Sequence, residues 1–221
     1  MSQDRGMADA AAGPAPVSRE EFLRHVLGLA GDRRVIVAIA GSPGSGKSTL
    51  ADWLVEELDA RRPGAAAVLP MDGFHFDDLV LNARGHRPRK GAPHTFDTGG
   101  LAETLARLAA DDGAEVAVPV FDRAIEIARA GARIIGPAIR TVVVEGNYLL
   151  LDDPAWAPLR RHFDLTAMHE VPEEILRRRL TERWLGFGYD AEALETKLSG
   201  NDLPNMRTVL ANSVRPDLRI A

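Results

Sequence analysis

The chain has 221 residues, a formal net charge of −5, 45% hydrophobic and 27% charged side chains, and no cysteine. This length supports a hydrophobic core without staples, and the missing cysteine excludes disulfide frameworks, thiolate metal sites and cysteine nucleophiles. The acidic balance argues against a nucleic-acid or anionic-membrane partner, and no run reaches the about 18 apolar residues of a membrane span, so a cytoplasmic protein without membrane insertion is expected.

Residues 1–17 are rich in Ala, Gly, Pro and Asp and read as a disordered N-terminal tail ahead of a single domain over 18–221. From Ser18 the pattern is regular. Ser18 and Glu21 form a capping box, Phe22, Val26 and Leu29 recur at helical spacing, and Gly31 is a suitable stop. Val35 to Ala40 then contains no polar residue, as expected of a strand buried on both faces of a parallel sheet. Further strands are predicted over 66–69, 115–118, 141–144, 165–168 and 218–220, and helices over 47–60, 101–110, 173–185 and 205–212. Strand and helix alternate, which predicts an α/β fold with a central, mostly parallel sheet flanked by helices. The stretch 72–100 breaks this rhythm with five glycines, two prolines and three histidines. So long an irregular segment points to function.

Directly after the first long strand, Gly41-Ser42-Pro43-Gly44-Ser45-Gly46-Lys47-Ser48 matches the P-loop pattern, with Thr49 opening the next helix. Glycines let the backbone curl so that its N–H groups point at a phosphate, and the following helix N-terminus adds its positive end. The expected ligand is ATP, held by residues 41–49, with Lys47 on the β- and γ-phosphates and the Ser48 hydroxyl on Mg2+. Lysine occurs elsewhere only at Lys90 and Lys197. None of the three follows an asparagine, so the guanine-reading Asn-Lys-x-Asp sequence is absent and a GTPase switch is disfavoured.

Two acids stand where α/β sheets place ligands, just past strand ends: Asp72 after residues 66–69 and Glu145 after 141–144. Phosphoryl transfer to an alcohol needs a carboxylate to accept the hydroxyl proton and a metal to neutralise phosphate charge, and the pair suits both needs. Glu145 is assigned to the Mg2+ shell with Ser48. The P-loop, Asp72-Gly73-Phe74, Lys90-Gly91-Ala92-Pro93-His94-Thr95-Phe96-Asp97, Pro119-Val120-Phe121-Asp122 and Val144-Glu145-Gly146-Asn147 together resemble the uridine kinase, pantothenate kinase and phosphoribulokinase group of small-molecule kinases. The resemblance runs from about Val35 to Asn205 and is nearest to a bacterial branch of fructose transport-system kinases. It implies a P-loop NTPase fold, Asp72 as general base and Asp97 as a contact to the acceptor hydroxyls. Phe74-His75 departs from the uridine kinases, which moves the expected acceptor away from pyrimidine nucleosides.

For the acceptor, Asp97, Asp122, Asn147, Tyr148 and His75 offer the hydrogen-bonding groups that a polyol requires. No histidine pair has the i, i+4 spacing of a zinc motif. Helix 173–185 carries Arg179 and Arg183 four apart on one face, which the resemblance makes a lid closing on the transferring phosphate, with Gly186 and Gly188 as hinge. Arg177 and Arg178 stand among Glu173, Glu174 and Glu182 and fit a solvated face equally well. By the same resemblance, Asn201, Asp202 and Asn205 fall where an adenine-contacting loop is placed. The reading is an ATP- and Mg-dependent kinase acting on a small-molecule acceptor, with a sugar such as fructose ahead of a nucleoside or a vitamin. An ATP-binding regulatory module of a transporter is the alternative, and the oligomeric state, a homodimer included, is left open.

Overall fold

The computed structural model describes residues 15–29 and 31–221. In chain order the elements begin with strand β1 (Pro16–Val17), helix α1 (Arg19–Gly28), β2 (Val35–Ala40), α2 (Lys47–Arg61) and β3 (Ala66–Pro70). A 3-10 turn (Met71–Phe74), α3 (Asp78–Ala83), α4 (Thr98–Ala110), β4 (Val116–Asp122), β5 (Ile127–Ile135) and β6 (Thr141–Gly146) follow. The chain continues through β7 (Leu165–His169), α5 (Glu173–Gly186), α6 (Ala191–Lys197), a π-helical turn (Leu198–Asp202), α7 (Leu203–Asn212) and β8 (Leu218–Ile220).

Six strands form one parallel sheet in the order β1-β8-β7-β2-β6-β3; five of them are strands that the sequence predicts, and β1 falls in the stretch expected to be tail. β2 lies at its centre, paired with β6 from Val35↔Thr141 to Ala40↔Gly146 and with β7 on the other side. Successive side chains of a strand point to opposite faces. Ile36, Ala38 and Ala40 therefore pack with Leu101, Leu105 and Leu108 of α4, whereas Val35, Val37 and Ile39 pack with Phe22 of α1 and Leu50 and Leu54 of α2. A smaller third cluster joins Leu176 and Leu180 of α5 to Leu198, Leu203 and Met206. It gives the arginine-bearing helix a base of its own beside the sheet.

Arg34, 3% exposed, closes the sheet's lower edge. Its guanidinium donates to the carbonyls of Leu108, Gly136 and Ile139 and lies 3.5 Å from Asp111.

Several elements differ from expectation. The strand predicted over 115–118 does not join the main sheet; β4 pairs antiparallel with β5 in a separate two-stranded ribbon. The sequence reading does not include β5, because its Ala-Arg-Ala-Gly-Ala-Arg centre alternates only alanine with arginine and glycine and is mostly exposed. The 72–100 segment folds into short 3-10 turns, α3 and the first residues of α4. Helix α1 stops at Gly28 rather than at Gly31, with its capping box formed as read. The tail expected over 1–17 lies, through residue 14, outside the described residues, while Pro16 and Val17 pair with Arg219 and Ile220.

Candidate active site

The site lies at the C-terminal edge of β2, β6 and β3, where three chain segments leave adjacent parallel strands. After Ala40 the chain turns through 41–46 into α2. Gly44 and Gly46 have φ of +82° and +91°, values that side chains disfavour, so these positions require glycine. Gly46 caps α2 without a side-chain bond, leaving the first backbone N–H groups of the helix facing the cleft. The hydroxyls of Ser42 and Ser45 and Nδ1 of His169 are buried without a partner among the described residues. A polyanion at this loop would meet the free backbone N–H groups that open α2.

Lys47 stands at the first position of α2. Burial pushes its ammonium below the usual lysine value, against the opposing pull of Glu145 and Asp72. Glu145, 6% exposed, is held between β2 and β3 by its pairing with Ile39 and Pro70. Burial pushes its carboxyl up, Lys47 opposes this and Asp72 reinforces it. Ser48 Oγ donates to Glu145 Oε2 at 3.2 Å, so the two residues assigned to Mg2+ meet across the sheet edge.

Asp72 sits in the 3-10 turn directly after β3. Burial pushes its carboxyl up, but His75, Arg123 and Lys47 outweigh burial and hold it below the ordinary carboxylate value. Arg123 Nη2 donates to Asp72 Oδ2 at 2.8 Å. His75 Nδ1 lies 2.8 Å from the Asp72 carbonyl oxygen, and its ring packs against Phe96 and Phe121 at centroid distances of 4.0 and 4.9 Å. Burial depresses the His75 pKa and leaves the ring neutral near pH 7, with Asp72 pulling the other way.

A cleft of about 1280 Å³ connects these groups, room for a nucleotide and a small acceptor together. Residues 43–49, Asp72, His75, Asn147, Arg179 and Arg183 all line it. Glu145 lies behind Ser48. Arg179 Nη1 donates to the carbonyls of Ser45 and Gly44 at 2.9 and 3.3 Å, so it grips the loop itself. Arg183 faces the cleft, where burial and the nearby Arg123 lower its pKa.

Three of the expected acceptor contacts are elsewhere. Asp97 caps α4, accepting from the Gly100 N–H at 2.8 Å. Asp122 accepts from the Ala124 N–H and pairs with Arg129 within the β4–β5 ribbon. Tyr148 is buried in the core and donates to the Gly91 carbonyl at 2.7 Å, and burial pushes its hydroxyl pKa up. Asn201, Asp202 and Asn205, by contrast, line the cleft; Asn201 donates to the Lys90 carbonyl and Asn205 accepts from Arg89. The sequence reading missed Arg123, although it directly follows the Pro119–Asp122 motif, and His169, the last residue of β7.

No family model matches the chain. The Escherichia coli protein YggC, itself uncharacterised, is 37% identical over 188 residues, spanning 84% of this chain and 77% of its own. A provisionally designated uridine kinase of Schizosaccharomyces pombe is 35% identical over 207 residues, spanning 90% and 85%. The chain belongs to the uridine kinase-like P-loop kinases. Among solved structures, a provisionally designated fructose transport system kinase from Silicibacter sp. TM1040 superposes with a TM-score of 0.86 at 41% identity, covering 93% of this chain and all of that one. The parallel sheet with its flanking helices is thus the P-loop NTPase fold, and this P-loop kinase is an enzyme acting on a small molecule.

Proposed function

We propose that this kinase transfers the γ-phosphoryl group of ATP, with Mg2+, to a hydroxyl of a small polar metabolite, a sugar such as fructose being the leading acceptor and a nucleoside or vitamin-like alcohol the next. The single observation that carries the reading is the convergence of Lys47, the Ser48–Glu145 pair and Asp72 on one cleft. Lys47 and the loop N–H groups bind the phosphates, and the ordinary hydroxyl and amide groups of the loop orient them. Asp72 accepts the acceptor's hydroxyl proton as its oxygen forms a bond to the γ-phosphorus and the bond to the departing ADP oxygen breaks. Arg183 balances the charge that develops on the transferring group. His75 and Asn147, whose Oδ1 is buried without a partner among the described residues, line the acceptor end.

The donors fit Mg2+, a hard cation that takes a hydroxyl, a carboxylate and phosphate oxygens, so Ser48 and Glu145 are the residues that hold it. When bound, the ion neutralises phosphate charge. The lead given to a sugar rests on the designation of the Silicibacter relative, and the nucleoside on that of the fission-yeast one. We read residues 18–221 as one kinase domain working in the cytoplasm; no helix among the described residues is long and apolar enough to cross a membrane. The intact base favours catalysis over a regulatory module that only binds ATP.

The test is ADP release from ATP and Mg2+ across a panel of sugars, nucleosides and vitamin alcohols. Turnover with one acceptor well above the acceptor-free rate is expected. ATP binding with no turnover on the whole panel would favour the regulatory module.

A further inference from the structure

Arg123 is placed against Asp72 by backbone packing. Gly73, beside Asp72, lies so close to β4 that a Cβ there would sit 2.4 Å from the Pro119 carbonyl oxygen. No side chain is tolerated at that approach, which locks the 3-10 turn onto the strand. The β4–β5 register shifts between Val118 and Val120, and the strand ends at Asp122, one residue before Arg123. The guanidinium reaches only Asp72 Oδ2, and Oδ1 accepts no hydrogen bond among the described residues. Arg123 is 64% exposed in its side chain and Asp72 22%, so the contact spends little of the arginine on packing.

We propose that Arg123 is a positioning residue for the acceptor base: it holds Oδ2 of Asp72 and leaves Oδ1 turned toward the acceptor hydroxyl. The inference rests on the reading of Asp72 as that base. A carboxylate gripped by one oxygen cannot rotate freely, and a fixed proton acceptor is what a transfer step requires. The geometry also explains why the arginine comes from the ribbon and not from the sheet: the ribbon's contact at Gly73 sets its distance to Asp72, independent of α5. Asp72 additionally faces His75 from its own turn, Lys47 from α2, Arg183 from α5 and Glu145 from β6. Of these, Arg123 alone is hydrogen-bonded to its carboxylate among the described residues.

The test uses the full-length protein labelled with carboxyl-13C aspartate, with the Asp72 signal assigned by its loss in Asp72→Asn. In Arg123→Ala the Asp72 midpoint should rise by about one pH unit, because an opposite charge in contact with the carboxylate is removed. Arg123→Lys should restore part of the shift, while thermal stability and ATP affinity stay at wild-type values in both. With an acceptor from the panel, kcat should fall about tenfold or more in Arg123→Ala with KM for ATP unchanged. An Asp72 midpoint that does not move, or a kcat that rises on freeing Asp72 from the arginine, would overturn the proposal. If no acceptor turns over even in the wild type, the kinase reading fails on its own assay and the Asp72 midpoint still decides the role of Arg123.

Discussion

Arg179 Nη1 donates a 2.9 Å hydrogen bond to the carbonyl oxygen of Ser45, tying α5 to the phosphate loop from outside the turn. Leu176 and Leu180 on the same helix are fully buried, and the Gly44 backbone lies against Leu180. Helix α5 therefore divides its two cleft-lining arginines between tasks: Arg179 shapes the loop and Arg183 faces the cleft.

The division predicts different kinetics for the two arginines. Arg179→Ala should weaken ATP binding about tenfold, the worth of a charge-assisted hydrogen bond, with a smaller effect on kcat. Arg183→Ala should lower kcat by about tenfold or more, roughly 1.4 kcal/mol, with ATP affinity nearly unchanged. Calorimetry for binding and a coupled assay for turnover separate the cases, and identical profiles for both variants would count against the division.

Lys47→Ala should keep the fold and lose turnover by at least about a hundredfold, because the ammonium acts on phosphate charge. Circular dichroism and ADP release on one preparation check this. A variant that unfolds would show that Lys47 supports the loop instead.

Stability has its own test at Arg34. Truncation to alanine removes the Arg34–Asp111 pair and leaves three carbonyls without their side-chain donor, while Asp111 keeps Arg140 at 2.7 Å, a loss of about 3 kcal/mol at about 1 kcal/mol per hydrogen bond. Tm should drop by roughly 10 °C, measured calorimetrically, and a shift of only a degree or two would show that solvent already reaches the pair.

His75 should titrate below the ordinary histidine value of about 6.5, since burial disfavours its imidazolium more than Asp72 favours it. The folded protein then binds fewer protons than the unfolded chain between the two values. This group's contribution is complete above about 6.5 and is lost as pH falls through the folded midpoint. Ring-proton NMR against pH gives the midpoint, and a value above 6.5 would mean that Asp72 dominates.

Much of this was legible in the sequence because it rests on local patterns. The apolar run 35–40 and the glycines of 41–46 announce a buried strand and a phosphate loop, and the acids at 72 and 145 follow strand ends. What was not legible depends on long-range pairing. Sequence makes Asp97 a candidate ligand but does not show that it caps α4 through the Gly100 N–H, nor that Tyr148 lies in the core and bonds Gly91, 57 positions away. β5 alternates only small alanines with arginine and glycine, and most of its residues face solvent, so its partner β4 is what reveals it as a strand. Arg123 gains meaning from a contact 51 positions away, which no spacing rule encodes.

The most direct measurement of the central claim compares wild type and Asp72→Asn on one preparation, with ATP affinity by calorimetry and acceptor phosphorylation by ADP release. The amide keeps the size of the carboxylate and removes its capacity to take a proton. The account predicts nearly unchanged ATP binding and a loss of turnover of about 10² to 10⁴-fold, nearer the lower end if proton transfer is late in a loose transition state. Wild-type turnover by Asp72→Asn would contradict it.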